Sequence, residues 1–168
     1  MEIRKALRNG MILVIVMCNV GCDQISKTIV RNEVDYNENI NFISEHFTLT
    51  RVENTGAFLS LGNSLPVSVK FILLSLIPGL ILAFGLYYLL TRARIAKAFV
   101  VGSCFVIGGG IGNLYDRIVY GSVTDFFHID FVIFQTGVFN MADVSIMLGV
   151  FIMFVQLQID RKDKSIAV

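Results

Sequence analysis

Asp125 and Asp143 are the residues of this chain that could carry out hydrolysis without a nucleophilic side chain. Asp125 stands in the segment VTDFF. Asp143 stands in GVFNMADVSI, at the mouth of the apolar run VSIMLGVFIMFV. An ionisable group at membrane depth is costly, so it needs a partner or a task. Two carboxyls that approach closely cannot both ionise cheaply, and one keeps a proton. Such a pair can activate water with one member and protonate a carbonyl or a leaving amine with the other. Taken singly, each acid also reads as a helix cap or an ion-pair partner. Asp143 lies where a negative charge gains from a helix N-terminus.

Other hydrolytic kits are weak. The sequence has no GxSxG elbow and no GxGD motif, and Ser26-Lys27 are helix neighbours whose side chains diverge. His46 and His128 cannot form an HExxH pair, and no CxxC pair exists, so no metal is expected and no cofactor is implied. Cys18, Cys22 and Cys104 all lie in apolar stretches and make no disulfide framework.

The elements that must position these acids are membrane helices. The chain has 168 residues, 55% hydrophobic and only 16% charged, against about 25% charged in soluble domains. A net charge of +1 offers no broad basic surface for nucleic acid. No repeat or linker divides the chain, which reads as one small integral membrane unit over residues 1–168. Apolar runs predict four spans, at about 9–30, 71–90, 95–115 and 138–159. Pro78-Gly79 falls inside the second and predicts a kink. Arg4, Lys5, Arg8, Arg92, Arg94, Lys97, Arg161, Lys162 and Lys164 lie on one side of these spans; Arg31, Arg51 and Arg117 lie on the other. That bias predicts both termini in the cytoplasm. The start MEIRKALRNGMILVIVMCNVGC also parses as a lipoprotein signal peptide ending at Cys22. Asn19 disfavours that parse, and cleavage would leave three further spans. The helix reading is kept.

FTLTRV (47–52) and FFHIDFVIF (126–134) read as strands, so a small β-rich element is expected on the outer face of a mostly α bundle. Asp23, Lys27, Asn54, Asn113, Asp116, Arg117, Asp125, Asn140 and Asp143 all map to that side. Asp23 and Lys27, four apart on one helix face, read either as a self-neutralising pair or as the lining of a substrate groove. Gly108-x-x-x-Gly112 suggests close helix packing that brings Asn113 near the fourth span. Asp116-Arg117 reads as an internal ion pair or a capping element. A rival reading is a small proton-coupled transporter or channel with Asp23, Lys27 and Asp143 as a relay, which would need polar residues through the whole membrane depth.

Five blocks, in order, are Asp23-Gln-Ile-Ser-Lys27, Asn54-Thr-Gly-Ala57, Gly108-Gly-Gly-Ile-Gly-Asn-Leu-Tyr-Asp-Arg117, Val123-Thr-Asp-Phe-Phe127 and Phe139-Asn-Met-Ala-Asp143. In order and spacing they resemble lipoprotein signal peptidase, the bacterial type II signal peptidase, a four-span aspartic peptidase. The resemblance implies Asp125 and Asp143 as a catalytic dyad. It implies Asn54, Gly56, Asn113, Arg117 and Asn140 as residues that shape the site or hold substrate, and Asp23 with Lys27 as a supporting pair. It further implies cleavage of diacylglyceryl-modified prolipoproteins before the lipidated cysteine, at the outer face of the bacterial inner membrane. Neither metal nor cofactor is involved in that family, membrane lipid surrounds the site, and globomycin-type cyclic peptides are its inhibitors. Two departures stand out. Gly110 replaces a common Ala, a change expected to be minor, and Phe58-Leu59-Ser60 alters the usual order of the outer loop.

Overall fold

A computed structural model of the chain describes residues 2–36, 38–42, 46–57, 64–131 and 133–166. The apolar runs form four helices: α1 (Glu2–Glu33), α2 (Val67–Thr91), α3 (Lys97–Val119) and α4 (Met141–Ile166). Each is long and apolar enough to cross a bilayer. Their exposed side chains include Met17, Leu80, Phe84, Met147 and Phe151. This is the surface of a multi-pass membrane protein, whose apolar faces meet lipid and not water.

Several boundaries differ from the expected ones. α1 has 32 residues and outreaches 9–30 at both ends; at 1.5 Å per residue it is about 48 Å long, more than the hydrocarbon core needs. α3 extends to Val119, so Asp116 and Arg117 lie in its last turns. α4 begins at Met141, which leaves Asn140 immediately before the helix and not inside it. The disturbance expected at Pro78-Gly79 falls one turn earlier, where Ile72–Leu76 is π-helical. Proline lacks an N–H and crowds the carbonyl four residues back, and widening the preceding turn relieves both problems.

The strands β1 (Asn39–Phe42), β2 (Phe47–Asn54), β3 (Val123–Phe131) and β4 (Phe134–Gln135) form one antiparallel sheet in the order β1-β2-β3-β4. Pairing of β2 with β3 sets Asn54 opposite Val123 and Val52 opposite Asp125, with an irregularity between Leu49 and Val52. β3 starts earlier than 126, which places Asp125 in the strand itself. Phe126 packs with Val30 and Val34 in a core that Ile40, Leu49 and Met141 extend. Neighbouring strand residues point to opposite faces, so burying Phe126 there turns Asp125 the other way.

α3 is the central helix, and its glycines set the distances. A Cβ at Gly108 would meet Asn19 Cβ at 2.6 Å, and one at Gly112 would strike the Asp23 carboxylate. The Gly108-x-x-x-Gly112 edge therefore packs on α1, not on the fourth span. Gly109 is the glycine that faces α4, against the Ala142 carbonyl and Ile146. At Gly110 a Cβ would meet a Leu82 methyl carbon at 2.7 Å, a flexible side-chain end that can turn aside.

Candidate active site

Asp125 and Asp143 open on one cavity of about 200 Å³, with Asn54, Ala57, Asn113, Arg117, Val123, Val138 and Asn140 in its wall. β3 supplies Asp125, and the first turn of α4 supplies Asp143. The cavity wall carries no Ser, Thr, Cys or His among the described residues. Nor do three His, Cys, Asp or Glu side chains gather anywhere among them as ligands for an ion.

Asp143 holds its place through a reciprocal cap. Asn140 Oδ1 accepts the Asp143 N–H at 3.1 Å, and Asp143 Oδ2 accepts the Asn140 N–H at 3.1 Å. This is a capping box built from Asn and Asp, which satisfies two N–H groups that the start of a helix leaves free. The other oxygen, Oδ1, accepts from Asn113 Nδ2 at 2.9 Å. The helix-cap reading of Asp143 is thus real, and it occupies one oxygen of the two.

Asp125 accepts from Asn140 Nδ2 at 2.6 Å and from Asn54 Nδ2 at 3.1 Å. Each amide is fixed in orientation by a group that can only donate. Asn54 Oδ1 accepts the Gly56 N–H at 3.0 Å, Asn140 Oδ1 is held by the cap, and Asn113 Oδ1 accepts from Lys27 Nζ at 2.9 Å. A flipped amide would set oxygen against carboxylate and leave a buried donor unpaired. All three therefore turn their NH₂ groups toward the acids.

Asp125 is 5% exposed. Burial pushes its carboxyl up to about 6, opposed by the hydrogen bonds from Asn54 and Asn140; the nearby Asp143 charge pushes it further up and the Lys27 charge draws it down.

Asp23 and Lys27 are both fully buried and lie behind the cavity rather than in its wall. Their separation is 2.8 Å. The self-neutralising reading describes them, and the groove-lining alternative is corrected: close packing of Gly112 against Asp23 closes the pair off. Asp23 Oδ1 also accepts the Ala142 N–H at 2.9 Å, a third capping bond for α4. Gly56 is held from both sides, its N–H on Asn54 and its carbonyl receiving Arg117 Nη2 at 3.1 Å.

Asp116 is buried in an ion pair as expected, but not with Arg117. Its carboxylate lies 3.1 Å from Lys27 and 2.9 Å from Arg31, and it accepts from Gln24 at 3.0 Å and from the Thr124 N–H at 3.3 Å. Adjacent helix side chains diverge, whereas Gly112 and Asp116 share the face that α1 covers. Arg31 and Gln24 thus join Asp116 as supports behind the site, and the four-residue spacing of Asp116 from Gly112 is the sequence signal for the face they share. Phe58-Leu59-Ser60 lies outside the described residues.

A family model described as "Signal peptidase (SPase) II" matches residues 14–159. The chain is 38% identical to the lipoprotein signal peptidase of Clostridioides difficile over 82% of its own length and 87% of the relative's. It is 34% identical to that of Enterococcus faecalis over 85% and 84%. A solved bacterial membrane enzyme superposes with a TM-score of 0.80 at 25% identity, covering 92% of both chains.

Proposed function

Because this chain belongs to the signal peptidase II family, and so is a membrane aspartic endopeptidase that removes signal peptides from prolipoproteins, we propose that Asp125 and Asp143 are its catalytic dyad. One observation carries this assignment. Both acids face a single cavity whose described wall holds no other nucleophile, and oriented amide donors surround them both. In this reading one carboxylate removes a proton from a water lying between the two acids, and the water oxygen attacks the scissile carbonyl carbon. The other carboxyl gives its proton to the carbonyl oxygen, forming a neutral tetrahedral diol. Collapse of the diol breaks the C–N bond, and the proton taken from water passes to the leaving nitrogen. No acyl-enzyme forms. Burial raises the Asp125 carboxyl to about 6, within reach of the shared proton, and the titration belongs to the pair.

Asn54, Asn113 and Asn140 fix the carboxylates, Arg117 and Asn54 hold Gly56 in the short segment 55–57 after β2, and Asp23 with Lys27 supports the asparagines from behind. The substrate's cysteine carries a diacylglyceryl group, whose chains in the bilayer bring the peptide to the depth of the dyad. Membrane lipid is therefore a partner, and globomycin-type cyclic peptides are blockers. The protein sits in the bacterial inner membrane with both termini in the cytoplasm and the cavity at the outer face. Supporting this orientation is the charge bias, nine basic residues to four once Lys70, near the start of α2, joins Arg31, Arg51 and Arg117 on the sheet side. The transporter alternative finds no support, since the packing below the polar cluster is apolar, built from Ile12, Val16, Leu89, Val100, Cys104 and Ile107.

The test is cleavage of a lipidated peptide by purified protein. Asp125→Asn and Asp143→Asn should each abolish it, and the double variant should be no worse than either single one, because residues acting as a unit are not additive. A folded single variant that cuts at near the normal rate would sink the dyad.

A further inference from the structure

A second groove, of about 270 Å³, lies beside the aspartate cavity and shares Arg117 with it. Thr55 lines it from the segment after β2, and Lys70, Phe71, Leu74 and Ser75 line it from α2. Two of its polar groups lack acceptors. Ser75 is 6% exposed, has no hydrogen-bond partner among the described residues, and belongs to the π-helical turn Ile72–Leu76. Turns of that kind recur at functional sites. The Arg117 Nε is likewise buried and unpartnered among the described residues. Leaving such donors unmade is unfavourable, so the groove suits a ligand rich in acceptors. Lys70 Nζ, 3.2 Å from Thr55 Oγ1, adds a third donor at the rim. The flank is apolar, with Phe71 56% exposed. A group that only accepts hydrogen bonds, carries hydrocarbon and stays tethered to the scissile peptide matches all of these features.

We infer that this groove receives the ester carbonyls of the diacylglyceryl group on the substrate cysteine. Ser75 and Arg117 donate to them, and the acyl chains leave past Phe71 into the bilayer. The inference rests on the peptidase reading, and it assigns α2 a role in recognising substrate that the dyad does not need. Bilayer phospholipid offers the same ester oxygens, so the test separates the two sources.

The probes are an uncleavable peptide bearing a diacylglyceryl cysteine and its dialkyl-ether twin, which lacks ester carbonyls. Binding is measured to the full-length protein in phospholipid-free detergent. Ser75→Ala should weaken binding of the diester probe about threefold to tenfold, the range for one hydrogen bond, and should leave the ether twin unchanged. An equal loss for both probes, or no loss for the diester, would overturn the inference. So would an effect that emerges only after phospholipid is added, which would assign the groove to bilayer lipid. A second measurement needs no variant: a ¹³C-labelled ester carbonyl on the bound probe should shift to lower infrared frequency, and an unshifted band would overturn the inference. Cleavage of the matching cleavable peptide by the unaltered protein is scored separately. Its absence would count against the peptidase reading and leave the binding result readable.

Discussion

Exchanging Asp143 for its neutral isostere should disturb more than the chemistry. An amide has one acceptor and one donor end, whereas the site presents two donors to residue 143, the Asn140 N–H and Asn113 Nδ2. If the new carbonyl keeps the cap, the new NH₂ meets the Asn113 NH₂. Asn113 cannot flip to accommodate it, because Lys27 Nζ and Asn140 Nδ2 both donate to its oxygen, at 2.9 Å and 3.2 Å. One buried donor is left without an acceptor, a loss of about 1–3 kcal/mol. At about 2–4 °C per kcal/mol for a chain of this size, Asp143→Asn should lower the midpoint of thermal unfolding by roughly 2–12 °C. Adding Asn113→Asp moves the carboxylate to the other side of the same contact. It then accepts from Lys27 with one oxygen and from the new amide with the other, at unchanged total charge. The double variant should recover most of the lost midpoint in detergent while cleavage stays absent. An Asp143→Asn protein as stable as the parent, or a double variant less stable than the single, would refute the fixed orientation of Asn113.

Three further outcomes are expected. Lys27→Met leaves Asp23 and Asp116 facing each other with only Arg31 in support, so it should cost about 3–5 kcal/mol. Asp23→Asn in that background should restore part of the loss, and strictly additive midpoints would argue against coupling. Asp125 titrates near 6 when folded against 3.8 in the reference state, so the folded protein holds this proton more tightly. Its contribution to stability is complete below about pH 4 and is lost as pH rises through 6, by at most about 3 kcal/mol. Midpoints measured across that window should fall with pH, and the slope should shrink in Asp125→Asn; an unaltered slope would remove the assignment. Reporter fusions at Ser64 and Gln135 should read as external and fusions at Ala93 as cytoplasmic, and a cytoplasmic signal at Gln135 would invert the topology.

Much of this was legible because hydropathy over about twenty residues is a strong local signal. The four spans and the gathering of polar residues at one end come from that signal, and the strand character of 47–52 comes from its run of β-branched residues. Boundaries were less legible. Nothing local says that α1 begins at Glu2, since its first turns are charged. Hydropathy alone carries Asn140 into the fourth span, whereas the spacing of Asn140-Met-Ala-Asp143 is that of a capping box. Pairing of β2 with β3 joins segments from opposite ends of two helices and has no local signature. The ion-pair partners of Asp116 have no local signature either: they lie on α1, and only the packing of α1 on Gly112 brings them near. The separate facings of Gly108, Gly109 and Gly110 depend on all three neighbouring helices being in place.

The distribution of charge around the two aspartates has its own logic. A cation in direct contact with either acid would favour the ionised form and draw its pKa down. Such a pair would lose the shared proton that the proposed chemistry needs. Here the cations stand one residue back. Lys27 reaches the acids only through Asn113, and Arg31 pairs with Asp116. Arg117 does line the cavity, but its Nη2 donates to the Gly56 carbonyl and not to a carboxylate. Direct contact is left to neutral amides, which fix the carboxylate oxygens in place while burial still holds Asp125 near 6. The buried ion cluster therefore supplies rigidity and amide orientation, and the asparagines pass both on while keeping the cations out of direct contact. The pull of Lys27 on Asp125 thus stays smaller than the push of burial. On this account the three asparagines are as specific a requirement as the aspartates they hold. A lysine or arginine at any of these three positions would fill similar space and still deprive the pair of its proton.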